Sequence, residues 1–364
     1  MHKPLYIIAA CCAASFTSFA QSEGNEVFIK QLDGPNQASV EQGGGPGLTL
    51  NNTAEIFQKG SNNEADIVQG NNEFSAGVEG QVRDNTATVR QVGESNLTRV
   101  SQSVEKGIIQ NNVVDILQQG QGNEALVRQE TRGQDVSRNG VAKLTQQGNG
   151  NDGVIFQGNA GDAGSLAILT QQGNGNDGII TQSDGEATSN QATLVQRGDN
   201  NQASIINAAY GSFTQDNTAT ITQQGDGNDA EVSQGVFGSS EASTGTITQR
   251  GDDNKADIFQ GESSSSGGTS TENAIGTILQ QGESNEAAIF QGTNFAYLRT
   301  PDETPTAVYF EGTNAAINSE ATIDQRGDNH YAAAIQVGSG DIIDIQQRGS
   351  GSYTIVAQGV AIPR

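Results

Sequence analysis

Asn217-Thr218-Ala219-Thr220-Ile221-Thr222-Gln223 is followed by Gln224-Gly225-Asp226-Gly227 and then by Asn228-Asp229-Ala230-Glu231-Val232-Ser233-Gln234. One seven-residue phrase is thus written twice, eleven positions apart, around a glycine-bearing break. The double phrase recurs in units that begin near Asn25, Asn52, Asn85, Asn112, Gly140, Ser165, Asn190, Asn217, Ser243, Ala274, Ser319 and Asp341, twelve in all. The glutamine that closes the first half is present in every unit, from Gln31 to Gln347, and the residue two positions before it is always Ile, Val or Leu. Departures are few. The second-half glutamine is replaced at Asn207 and the second-half asparagine at His330 and Ser352, while the turn glycine of the first unit is shifted to Gly34.

Alternation with period two, β-branched residues at the centre of each run and Gly-Asp or Gly-Asn breaks predict strands joined by tight turns. No segment has helical periodicity. In each strand Asn, Ala, Ile and Gln fall on one face, and Thr, Ser and charged residues dominate the other. Hairpins in one flat sheet would leave the recurrent face half wet and would not demand the same residue at the same place in every unit. Parallel stacking of identical coils does demand it. The expected fold is therefore all-β: a β-solenoid of stacked two-stranded β-arch coils with parallel in-register sheets, adjacent coils about 4.8 Å apart. Each coil buries only two large aliphatic side chains, so backbone ladders and ladders of Gln and Asn amides must supply much of the cohesion, and a lone unit should be disordered.

Composition narrows the function. The 364 residues are 33% hydrophobic and 16% charged, with 47 glycines, no tryptophan and two histidines. That leaves little material for a metal centre, redox chemistry or a nucleophilic triad, and no catalytic, cofactor-binding or metal-binding residues are assigned. A net charge of −24 disfavours nucleic acid and anionic membrane surfaces as partners. Lys3, the apolar run Leu5 to Ala14 and the small residues Ser18 and Ala20 read as a secretory signal peptide over 1–20. Cys11 and Cys12 lie inside it, so the exported chain has no thiol; Ile8 to Cys11 also has the outline of a lipobox, for which the two cysteines as plain signal residues are the simpler account. No stretch approaches the roughly 20 apolar residues of a membrane span, so no membrane insertion is expected.

The arrangement Ser/Asn-x5-Gln-x-Gly-x-x-Asn-x-Ala-x-x-x-Gln, as in Asn217 to Gln234 and Ser165 to Gln182, resembles the curlin repeat of curli fimbrial subunits. The resemblance implies a bacterial extracellular amyloid, a cell-surface fimbria of the biofilm matrix that mediates adhesion and aggregation. It also implies export through the outer-membrane curli secretion channel and seeding by a nucleator curlin. By the same resemblance, inward amides of the terminal repeats drive polymerisation; here these are Gln31, Asn36 and Gln42 at one end and Gln347 and Gln358 at the other.

Edge physics leads to self-association independently. A stacked solenoid exposes unpaired strand edges at both ends, and proteins that avoid edge pairing cover or charge them. The repeats begin five residues after the expected cleavage site and end at Gln358, with a short tail over 360–364 and no evident cap, so head-to-tail growth is expected. Acidic residues on outer faces and turns would act as gatekeepers. The alternative is a monomeric surface adhesin or ice-binding solenoid, which would favour Thr-x-Thr rows and capped ends.

Rival motifs carry less. Gly148, Gly150 and Gly153, and Gly173, Gly175 and Gly178, match a dinucleotide fingerprint but are followed by strand pattern instead of a helix. The Gly198 to Asn201 turn lacks the dense aspartates of a calcium loop and reads as an Asx turn. His330 occupies an inward Asn slot, which points to structural hydrogen bonding. Asp252 and Asp253 read as solvated turn charges rather than a polysaccharide-lyase site. The insertion over 292–318 holds Phe295, Tyr297, Tyr309 and Phe310 and reads as a degenerate coil leading into a surface hairpin, with glycan or partner binding as the other reading. Ser263 to Ser270 is a loop by composition.

Overall fold

Three parallel sheets account for the architecture, and no helix occurs among the described residues. The computed structural model describes residues 7–9, 14–17, 22–43, 48–71, 80–104, 107–131, 136–158, 162–182, 186–209, 213–236, 238–261, 269–293, 295–299, 305–309 and 315–359. The chain divides into two compact units, 1–179 and 180–364, each a β-solenoid in its own right.

One coil shows how the repeat folds. Val113–Gln121 runs out, the chain turns at Gly120 to Asn123, and Glu124–Thr131 returns. Along both strands the phrase residues point inward: Asn112, Val114, Ile116, Gln118, Asn123, Ala125, Val127 and Gln129 are all at most 1% exposed. Val113–Gln121 pairs in parallel with Thr86–Glu94 on one side and Val141–Asn149 on the other, with Gln118 directly beside Gln91 and Gln146. The coils are in register because any slip would put an amide beside an aliphatic residue.

The turn glycine is demanded by the stacking itself. Gly120 has a φ of 121°, and a Cβ there would collide with the carbonyl oxygen of Gly148 in the next coil. The GxGxxG matches lie in these turns, with strand Asp152–Gln157 following the first of them.

Each coil also has a third side. Short strands such as Gln81–Arg83, Ile108–Gln110 and Val136–Arg138 pair in parallel to form the third sheet. Their middle residues face inward and are buried: Val82, Ile109 and Ser137 in the first unit, Thr214, Ser240, Thr271 and Ala316 in the second. The two-stranded arch is present in every coil, and a segment that reads as a connecting loop closes it into a triangle.

At the start of the chain, Ile7–Ala9 and Ala14–Thr17, within the segment expected to be a signal, pair in parallel with Ile29–Gln31 and with Ala38–Glu41. The 292–318 insertion forms a hairpin: Phe295–Arg299 pairs antiparallel with Pro305–Tyr309 and joins none of the three sheets, so no degenerate coil begins there. Ala296 is fully buried against the outer face of the second sheet, in a cluster with Phe259, Phe290, Tyr331 and Ile335. The side chains of Phe295, Tyr297 and Tyr309, and Phe310 and most of the Ser263 to Ser270 tract, lie outside the described residues.

Candidate functional site

The recurrent amides form continuous hydrogen-bonded columns. In the first unit Gln31 Nε2 donates to Gln58 Oε1 (2.6 Å), and the same bond joins Gln58 to Gln91, Gln91 to Gln118, Gln118 to Gln146 and Gln146 to Gln171 at 2.8–2.9 Å. The second unit repeats it from Gln196 through Gln223, Gln249, Gln280 and Gln325 to Gln347. A parallel column runs down the return strands, Gln42 to Gln69 to Gln102 to Gln129 to Gln157.

These columns have a direction. Each glutamine donates toward the coil of higher number. The orientation is held because the same nitrogen also reaches main-chain oxygens, Glu64 O and Asn96 O in the case of Gln91. The asparagine columns run the opposite way. Asn63 N and Nδ2 donate to Asn36 Oδ1, and Asn96, Asn123, Asn151 and Asn176 each donate back to the asparagine before them. His330 stands in this column: its backbone N–H donates to Asn285 Oδ1, its Nδ1 accepts from Ser352 N, and its Nε2 meets Arg326 O. Both ring nitrogens thus serve the fold.

Broken rungs are confined to a few places. Buried side-chain polar atoms without a partner, among the described residues, belong to Gln31, Asn207, Ser233, Gln234, Asp341 and Gln358. Asn207 and Gln234 form one defect: Asn207 is a methylene shorter than the glutamine its slot expects, so both its amide atoms and Gln234 Oε1 are left unsatisfied, and Ser233 Oγ is a separate orphan on the outward-facing position beside Gln234. The other three lie in the first and last coils. Gln31 is 2% exposed and its Oε1 has no donor. Asp341 Oδ2 and Gln358 Oε1 lack partners at the opposite end.

The remaining expected assembly residues are placed as follows. Asn36 and Gln42 are buried in the first coil, where Asn36 accepts from Asn63 and Gln42 donates to Gln69. Gln347 is 4% exposed, accepts from Gln325 and donates to Tyr331 O and Thr354 Oγ1. Gln358 is half-buried and donates to Ile342 O, while Gln336 gives its amide hydrogens to the carbonyls of Glu320 and Asp341 and not to Gln358. The last coil is open: Ile355, Val356 and Ala357 are half-buried where their neighbours Ala333, Ala334 and Ile335 are sealed, and Ile342 is 66% exposed.

Electrostatics sharpen one outer face. Burial pushes the Asp257 carboxyl up to about 7, with Glu231, Asp229 and Glu286 adding to the rise and Lys255 opposing it. Glu231 is raised chiefly by burial, and so are Asp152 and Asp177 in the first unit. Among the described residues no group of three His, Cys, Asp or Glu is placed to hold a metal ion, and no helix is long and apolar enough to cross a membrane. The orphan atoms were not legible in the sequence, except that Asn207 is the single departure from glutamine in its column.

The Curlin associated repeat family matches residues 214–240, which contain both arch strands of one coil, and 318–349, which contain both arch strands of another and most of the outgoing strand of the last. No curated protein matches the chain. The chain thus carries curlin-associated repeats in two regions, and the same amide-bearing phrase is stacked throughout both units.

Proposed function

We propose that the chain is a secreted structural subunit that stacks copies end to end into a curli-like amyloid fibre of a bacterial biofilm matrix, serving adhesion and aggregation. The observation that carries this is the match between the directions of the amide columns and the orphan atoms at the ends. Glutamines donate toward higher coils, so a first coil lacks a donor for its oxygen, and that is the buried orphan at Gln31. A copy docked with its last coil against this edge brings Gln347 opposite Gln31 and Gln358 opposite Gln42, with the register of every internal step. Asparagines donate the other way, and Asp341 Oδ2 is the acceptor waiting where Asn25 of the next copy would donate, as Asn52 does to Asn25 within the chain.

Removal of 1–20 on export would take away the strands beside Glu26–Leu32 and Gln37–Gln42 and open that edge. On this reading a nucleator curlin supplies the first edge and the curli secretion channel the route out, both by family resemblance.

The test is seeded growth of the purified 21–364 chain. Nucleated fibres with reflections near 4.8 Å and about 10 Å are expected, with Q31A and Q347A slowing elongation. A chain that stays monodisperse at high concentration with seeds present would overturn the proposal.

One observation favours the ice-binding or adhesin reading: Thr193, Thr220, Thr246, Thr277 and Thr322 form an outward row across five coils. Its flanking rows carry paired threonines at only two coils, Thr218 with Thr244 and Thr222 with Thr248, before Ile275 and Leu279 replace them. Thermal hysteresis by the monomer is the readout that would favour it.

A further inference from the structure

Two surfaces concentrate charge of opposite sign. The first is on the outer face of the first sheet in unit 1–179, where register sets Lys30, Phe57 and Arg90 side by side on three successive coils. Lys30 Nζ lies 5.7 Å and the Arg90 guanidinium 5.4 Å from the Phe57 ring centre. With Phe28, which is 42% exposed, they border an open groove of about 440 Å³. Glu55 lines the groove, and Glu26 and Asp115 lie on the same face. Yet among the described residues neither Lys30 nor Arg90 has a carboxylate within ion-pair distance, in a chain with 42 acidic and 18 basic residues.

The second surface is a column of acids at the arch turns of unit 180–364: Asp199, Asp226, Asp252, Glu283 and Asp328, one per coil in five consecutive coils. Asp226, Asp252 and Asp328 each accept the turn N–H of the coil before, at 2.7–2.9 Å. That bond does not need a charge. Asn149 and Asn174 make it at the same turn in the first unit, to Gln121 N and Asn149 N. Stacked carboxylates repel one another, so their charge costs the fold something that asparagine would spare.

We propose that these two surfaces meet between copies: the acidic turn ridge of one copy seats in the Lys30–Phe57–Arg90 groove of another, joining fibres side by side. The claim goes beyond end-to-end stacking and uses a different face. Charge complementarity selects the occupant, and the spacing agrees. Lys30 and Arg90 are two coils apart, about 10 Å, and any two ridge acids two coils apart, such as Asp226 and Glu283, share that separation. Although both copies are net negative, the Debye length at physiological salt is about 8 Å, so local charges decide close contact. Each added copy repeats the contact along the fibre, so individually weak pairs accumulate.

The experiment mixes light and heavy-isotope protein under assembly conditions, treats it with a carbodiimide and maps cross-links between copies. Lys30 joined to Asp226, Asp252 or Glu283 of the other isotope is expected. Lys30 joined between copies only to Asp344, the acid that end-to-end stacking brings beside Phe28, would overturn the lateral contact and leave the fibre reading standing. The same holds if no Lys30 cross-link forms between copies.

In parallel, bundling is scored by electron microscopy and sedimentation, and elongation by seeded dye binding. K30Q/R90Q and D226N/D252N are each expected to reduce bundling severalfold with elongation unchanged, and raising salt to about 1 M to do the same. If the acids were only gatekeepers, D226N/D252N would increase bundling, and that result overturns the proposal. So does K30Q/R90Q losing affinity for an anionic polysaccharide while bundling normally.

Discussion

The two units share an interior and differ outside it. Each stacks six amide-bearing coils with the same glutamine column. Residues 1–179 carry 11 Lys and Arg against 19 Asp and Glu, however, whereas residues 180–364 carry 7 against 23. The asparagine column of the outgoing strands is interrupted in both units, at Gly140 and Ser165 in the first and at Ser243, Ala274, Ser319 and Asp341 in the second; the column of the return strands is intact from Asn36 to Asn176 in the first unit but gives way to His330 and Ser352 in the second, where Asn207 also interrupts a glutamine column. What the second unit lacks in amide rungs it recovers on its outer face, where Phe259 and Phe290 stack at 5.2 Å beneath Ala296 of the hairpin. Interior residues answer to their copies one coil away, and outer residues are free to diverge.

The comparison breaks most readily at that outer cluster. F290A should cost the second unit about 3–4 kcal/mol, as expected for a sealed phenylalanine, and leave the first unit unchanged; hydrogen exchange read coil by coil during urea titration checks this. Equal losses in both units would show that the outer cluster is not a local compensation.

Ladder cuts come next. Q118A and Q249A each remove a rung from a matched position and should each cost about 2–3 kcal/mol, since a buried oxygen loses its donor in both cases. A markedly smaller loss at Gln249 would mean the second unit relies less on its column.

Acid on the outer face gives the third. Folded Asp257 holds its proton up to about pH 7, while in the unfolded chain it releases it near 3.8, so stability falls as pH rises between those values. D257N should raise stability at pH 8 by about 2 kcal/mol, allowing for residual solvent contact, and flatten that slope. An unchanged slope would place the burden on Glu231 instead. Smallest is repair of the defect: N207Q should gain about 1 kcal/mol by restoring the donor to Gln234 Oε1, measured as a shift in urea midpoint at constant m-value.

Much of the fold was legible because identical residues at identical register can only stack. Gln118 could be called inward, and Gly120 a turn, before any coordinate. The third strands were not, since two or three residues show no period and their inward slot takes Val82, Ser137 or Thr271 alike. The hairpin read as a coil start because Asn294 to Leu298 alternates like a phrase, but it lacks the closing Gln and Gly, and the apolar outer face of the second sheet captured it instead. At the candidate site, the end-coil amides were named from the family resemblance and their place in the terminal repeats, whereas Asp341 and the bare Gln31 oxygen emerged only from the bonds around them.

The sequence by itself determined the period, the buried face and the identity of the column residues, because a column survives only if every coil repeats it. Only the tertiary structure decided the direction in which each column donates, the third side of the coil and the site of hairpin docking. Those depend on which main-chain oxygens a side chain meets and which outer faces lie open, and neither is written in any single repeat.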